Sequence, residues 1–165
     1  MLRNKKMSIE NVRAYLEPLG FADRIQEFEV SSATVELAAI ALGTEGARIA
    51  KTISLHGKPD GCVIVVCAGD QKIDNAKFKA RFGYRPHMLS ADEALAMTGH
   101  AVGGVCPFAL PEGVPVYLDV SLRRFDTVYP AAGSSNSTVA LSCDELERAS
   151  GALSWEDVCK PKEVQ

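Results

Sequence analysis

The sequence predicts a mixed α/β or α+β domain, built on a mixed β-sheet. Three observations carry this. CVIVVCAG (62–69) is a continuously apolar, β-branched run, which reads as a strand buried on both faces. Segments of helical period with capping residues are interspersed with strand-like segments along the chain. Late in the chain the strand-like pieces lie at hairpin-length gaps, which breaks a regular βαβ series. The chain has 165 residues, with no repeat, low-complexity segment or dividing linker, so a single domain over 1–165 is expected.

The elements follow in order. SIENVRAYLEP (8–18) reads as a helix with Ile9, Val12, Tyr15 and Leu16 on one face, ended by Pro18 and Gly20. FEVSS (28–32) is expected as a short strand. TVELAAIALG (34–43) is a helix with Thr34 as N-cap and Gly43 past its end. KTISLH (51–56) alternates as a half-buried strand, GKPDG is a turn, and 62–69 is the buried strand. DNAKFKARFG (74–83) is a helix and HMLS (87–90) a short strand. Ser90 with Glu93, and Ser142 with Glu145, form capping boxes that open two further helices. Between them PVYLDVSL (115–122), TVYPAAG (127–133) and STVALS (137–142) are strand-like, and KPKEVQ is expected as a frayed tail.

Composition excludes several classes. The formal charge of −3 argues against a wide basic face, though not against a local basic patch. Lys77, Lys79 and Arg81 on one helix, flanked by Lys72 and Arg85, are either such a patch or a solvated helix face. No apolar run reaches membrane-spanning length, and the basic N-terminus lacks the apolar stretch of a secretory signal, so no membrane partner is expected. Five scattered cysteines suit reduced thiols in the cytoplasm. Cys62 and Cys67, five apart on a strand, point to opposite faces, and the histidines lack ligand spacing, so no metal is expected. Neither a dinucleotide fingerprint nor a P-loop is present, and no cofactor is expected.

Three features carry candidate chemistry. Lys51 begins a strand and is either a solvated edge residue or a point charge facing an anionic or carbonyl group. GGVCPFAL (103–110) has neither helix nor strand period. Its Cys106, six residues after His100, is read as a small buried residue rather than a nucleophile, because nothing in the sequence shows a group orienting a base. GSSNST (133–138) is either a turn or a set of hydroxyl and amide groups lining a polar pocket.

Taken in order, TVELAAIALGTEGARIAKTISL, GGVCPFAL and AAGSSNSTVALSCDEL resemble the YbaK-like domains, free-standing relatives of the editing domain inserted in bacterial prolyl-tRNA synthetases. The likeness spans roughly residues 28–159 and rests on an A-K-T strand start, a G-x-x-x-P-F loop and a G-x-x-N-x-T-V strand entry. It implies a barrel-like mixed β core with flanking helices. It also implies hydrolysis of the ester joining a wrong amino acid to tRNA, here a small residue such as alanine, serine or cysteine on tRNA-Pro. Implied partners are the aminoacylated acceptor end of tRNA and prolyl-tRNA synthetase. The implied catalytic set is Lys51 by the acceptor end, with Gly103 and Gly104 in the loop whose N–H groups meet the aminoacyl carbonyl. Val105, Cys106, Pro107, Phe108, Gly133, Ser134, Ser135 and Asn136 are the implied substrate-binding set. Some subfamilies carry a histidine near GSSNST where this chain has Ser134, Ser135 and Asn136, so the amino acid removed stays open. Two other readings remain beside it: a non-catalytic module that binds aminoacyl-tRNA or a synthetase, and a Cys106-dependent hydrolase.

Overall fold

A computed structural model describes residues 2–31 and 34–163. The central strand is β3 (Cys62–Ala68), every residue of which is buried. On one side it pairs antiparallel with β2 (Ile49–His56) from Ala50–Ala68 to His56–Cys62. On the other it pairs parallel with β5 (Val116–Asp119), which in turn holds β8 (Ser154–Glu156) in parallel. β2 carries β6 (Tyr129–Pro130) at its far edge, completing a mixed sheet in the order β6-β2-β3-β5-β8. Single bridges, Ala131–Thr138 and Val128–Leu141, extend the pairing from the β6 segment to β7 (Ser137–Val139), which pairs with β1 (Ile25–Glu27). The strands therefore follow one another as a continuous wall, the mixed β core with flanking helices that the sequence implies.

Alternation along β3 divides the interior in two. Ile64, Val66 and Ala68 face a large core with Leu118, Leu122, Val139 and Leu146, whereas Val63, Val65 and Cys67 face a second core around Phe78 and Leu55. α1 (Leu2–Leu16) closes the large core with Val12 and Leu16, both fully buried, and begins earlier than the sequence predicts. α5 (Cys143–Ser150) closes it from the other end with Leu146 and Ala149. The second core lies under α3 (Asn75–Phe82), whose Phe78 is fully buried.

Local capping chemistry sets the helix starts. Thr34 accepts from the Leu37 N–H and opens α2 (Val35–Leu42), with Gly43 left-handed past its end. Ser90 and Ser142 form both reciprocal bonds of a capping box, opening α4 (Ala91–Thr98) and α5.

Several expected strands are shorter or displaced. Residues 28–31 are not strand and Ser32 lies outside the described residues; the pairing falls on Ile25–Glu27, whose partners run from Val139 to Ser137. HMLS supplies only a bridge, Met88 to Leu55. β5 stops at Asp119 because its buried carboxylate accepts the Ser121 N–H, turning the chain into a 3-10 segment, and the Val158 N–H as well. β6 is limited to two residues, one of them Pro130, which has no N–H for a ladder. The expected frayed tail instead begins inside β9 (Cys159–Pro161), which pairs antiparallel with β4 (Gln71–Ile73), while its last two residues lie outside the described residues.

Two glycines let three segments meet closely. A Cβ on Gly133 would lie 2.8 Å from the Ser8 carbonyl oxygen of α1, and one on Gly104 2.8 Å from the Gly133–Ser134 backbone. Gly133 also has φ +98°, a left-handed conformation. Gly133→Ala is expected to cost about 2–5 kcal/mol in denaturant unfolding, from crowding plus strain. Gly113→Ala, at φ +88° but with nothing within 4 Å of the added methyl, isolates the strain. It is expected to cost only about 1–2 kcal/mol.

Candidate active site

A cavity of about 340 Å³ opens between α2, β2 and the loop at 102–105. Thr34, Val35 and Ala38 form one wall, residues 49–54 of β2 the floor, and Val102, Gly103 and Val105 the opposite wall; Tyr129, Ala131 and Thr138 close one side. The lining is mostly apolar, with a few polar groups set into it, as in small-molecule sites. The structure thus brings Lys51, Gly103 and Val105 together around one space, although about fifty residues separate the lysine from the loop.

Lys51 sits at Cys67 in the β2–β3 register. Its side chain is half buried and donates through Nζ to the Gln71 carbonyl oxygen at 2.5 Å. Burial lowers its pKa below the ordinary lysine value, and Lys162 nearby adds to that. An ammonium in this setting is partly stripped of water, so its field is less screened than at a surface.

The 103–107 loop is irregular because Gly103 has φ +93°. Its amides divide into two kinds. The Gly104 N–H donates to the Ala101 carbonyl at 2.9 Å, so this amide closes a turn and is not free to meet a ligand. The N–H groups of Gly103 and Val105 have no hydrogen-bond partner among the described residues. Gly104 therefore serves the loop through its missing side chain, which permits the contact with Gly133.

Cys106, Pro107 and Phe108 turn away from the cavity and are buried. Phe108 is fully buried in the large core, near the Tyr15 ring. The Cys106 sulfur lies 3.5 Å from His100 Nε2 and 3.8 Å from the Phe108 carbonyl. That carbonyl only accepts, and it lies 2.8 Å from His100 Nε2, so Nε2 carries the hydrogen and Nδ1 accepts from the Ser8 hydroxyl. Burial lowers the His100 pKa, keeping the ring neutral, and pushes the Cys106 thiol up to about 12. No lone pair on Nε2 is left to take the thiol proton. The pair is a structural cluster and not an activated nucleophile.

Gly133, Ser134, Ser135 and Asn136 are not among the cavity's lining residues. The Ser134 hydroxyl bonds Asn136 Oδ1 at 2.9 Å and the Ser137 hydroxyl at 2.6 Å. Asn136 donates to the Phe28 carbonyl at 2.7 Å and its own carbonyl accepts the Phe28 N–H, while the Ser135 carbonyl accepts from Ser31. These polar groups fasten the loop to the 28–31 segment. Two further wall residues are Thr52, which the sequence reading did not single out, and Thr138, the last residue of the GSSNST run; their buried hydroxyls lack a partner among the described residues. The available signal was their place in the sequence, Thr52 directly after Lys51 and Thr138 at the end of GSSNST.

Residues 29–149 match the family model described as the aminoacyl-tRNA editing domain. Over 154 residues the chain is 49% identical to the uncharacterized protein YwhH of Bacillus subtilis (strain 168), covering 93% of this chain and 98% of that one. It is 30% identical over 114 residues to EbsC of Enterococcus faecalis (strain ATCC 700802 / V583), named as a candidate Cys-tRNA(Pro)/Cys-tRNA(Cys) deacylase, covering 68% and 70% of the two chains. A crystal structure described as a candidate trans-editing enzyme for prolyl-tRNA synthetase superposes with a TM-score of 0.83 at 27% identity, covering 93% of this chain and 97% of that one.

The thiol assignment has a direct check. In the folded protein at pH 8, iodoacetamide is expected to leave Cys106 unmodified, as read by mass spectrometry of its peptide. Alkylation of Cys106 at the rate of a free thiol would show the cluster to be open and reactive.

Proposed function

The chain belongs to the aminoacyl-tRNA editing domain family, and on that premise we propose that it hydrolyses the ester of mischarged tRNA in trans, clearing a small wrong amino acid from tRNA-Pro. The observation that carries this reading is that Lys51 lines one small, mostly apolar cavity together with Gly103 and Val105, whose N–H groups are uncommitted among the described residues. Attack of water on the aminoacyl carbonyl breaks the ester bond, freeing the amino acid and the ribose hydroxyl. Negative charge builds on the carbonyl oxygen as this happens. Backbone N–H groups held in place before reaction stabilise that charge at no reorganisation cost. Lys51 adds a positive field and pairs with the acceptor end or with the developing anion. No protein nucleophile is needed, in keeping with the inert state of Cys106.

Selection follows from the walls. Val35, Ala38 and Ile49 restrict the acyl side chain to a small size, while the unpartnered hydroxyls of Thr52 and Thr138 favour one that can hydrogen-bond. Cysteine, the residue in the name of EbsC, belongs on the test panel with alanine and serine. Prolyl-tRNA synthetase, which releases the mischarged product, is the corresponding partner.

A deacylation panel of tRNA-Pro charged with alanine, serine or cysteine tests the reading. Wild type is expected to hydrolyse at least one of them, and Lys51→Ala to lose about 100-fold or more in rate, on the scale of a lost charge-stabilising group. Cys106→Ala is expected to stay within several-fold of wild type. A folded wild-type protein inert on all three would overturn the proposal.

The pH dependence has a definite sign. Lys51 acts as a cation and burial depresses its pKa, so the enzymatic rate, net of uncatalysed hydrolysis, is expected to fall on the alkaline side before an ordinary lysine would deprotonate. Lys51→Arg, where it retains activity, is expected to move that limb to higher pH.

A further inference from the structure

A second cavity, of about 280 Å³, adjoins the first and shares Lys51, Ile53 and Met88 with it. Its other walls include Lys72, Ile73 and Pro86. Lys72 lies on β4, directly opposite Lys160 on β9. Like charges directly opposite in an antiparallel pair are destabilising, so this ribbon carries an electrostatic cost. Lys162, just past β9, comes close enough to Lys51 to oppose its protonation. Four lysines therefore gather along one edge of the joined cavities.

No neighbouring carboxylate forms an ion pair with them among the described residues. Asp70 is held by Arg124 through two bonds, at 2.6 and 3.0 Å. Asp74 caps α3 by accepting the Lys77 N–H, although it lies within electrostatic reach of Lys160. Glu163 is exposed beside Lys162 and forms no ion pair among the described residues. The basic residues singled out on α3 are different. Lys77 is bonded to Asp157 and the Cys159 carbonyl, and Arg81 to Glu156, so those two charges are already engaged, while Lys79 is exposed and lines neither cavity. In a chain of net charge −3, the β4–β9 edge presents three cations, Lys72, Lys160 and Lys162, without an ion pair among the described residues. Among them Lys160 and Lys162 lie beyond residue 149, where the family match ends.

We propose that the β4–β9 ribbon, through Lys72, Lys160 and Lys162, binds the phosphodiester backbone of a single-stranded RNA 3′ end and leads its terminal residue to Lys51. The proposal rests on the deacylase reading for the direction of the strand, but not for the existence of the site. The adjoining cavity, with Ile53, Ile73, Pro86 and Met88 around its lysines, offers apolar surface to a base or ribose beside the phosphates. Each backbone phosphate contact releases counterions, so binding weakens with salt.

The test is fluorescence anisotropy with an uncharged RNA hairpin ending in a single-stranded CCA, titrated from low to moderate salt. Wild type is expected to bind. Lys72→Ala with Lys160→Ala is expected to weaken binding roughly tenfold and to reduce the slope of log K against log salt by about 0.7 per lost contact. Restoring charge with Lys72→Arg and Lys160→Arg is expected to recover both. Lys79→Ala, an exposed cation on α3, serves as the control and is expected to match wild type. Circular dichroism establishes that each variant is folded. Unchanged affinity and slope in the folded double alanine variant, or no RNA binding by wild type, would overturn the ribbon proposal. RNA binding that needs the lysines in a protein inert on every charged tRNA would support the ribbon while overturning the deacylase reading.

Discussion

The arrangement of the cavity depends on one close approach of backbone to backbone. At Gly133 the chain passes the Ser8 carbonyl of α1, and at Gly104 the 103–107 loop rests on Gly133 and Ser134, each at a distance that leaves no room for a Cβ. That junction joins the N-terminal helix, the cavity loop and the entrance to β7. Interiors pack densely and transmit displacement, so its spacing sets how far Gly103 and Val105 stand from β2. The Ser134–Asn136 hydrogen bonds then secure the other side of the junction to Phe28.

Lys51 illustrates a balance of opposing terms. Burial disfavours its charge, while the Gln71 carbonyl gives the amine a fixed partner. A fully solvated lysine would keep its charge more easily but would lie in water, where its field is screened. The half-buried position retains a cation and keeps its direction.

Much of the fold was legible because the deciding forces are local. Thr34, Ser90 and Ser142 cap helices with bonds that span only three residues, so their spacing announces them. β3 is legible because burial on both faces removes every polar residue from it. The three-residue strands β4, β8 and β9 are not legible, because their order comes from partners far along the chain and leaves no period. FEVSS misled for a related reason: its apolar Val30 is 66% exposed, while the pairing belongs to the more polar Ile25–Glu27. At the site, the resemblance names Lys51, Gly103 and Val105, which line one cavity. The polar run at 134–136 was misleading because hydroxyl and amide groups that look available in a sequence can be consumed by their own loop.

Lys51 is held by a main-chain carbonyl, and the uncommitted donors across the cavity are main-chain amides. Main-chain carbonyls belong to every residue type and main-chain N–H groups to every type except proline, and drift in the neighbouring side chains leaves them in place. The cavity walls at Val35, Ala38, Ile49 and Thr52 are ordinary side chains that can be exchanged singly. A lineage with this architecture can therefore change what it discriminates without rebuilding how it reacts, and its descendants would share a backbone more faithfully than a residue pattern.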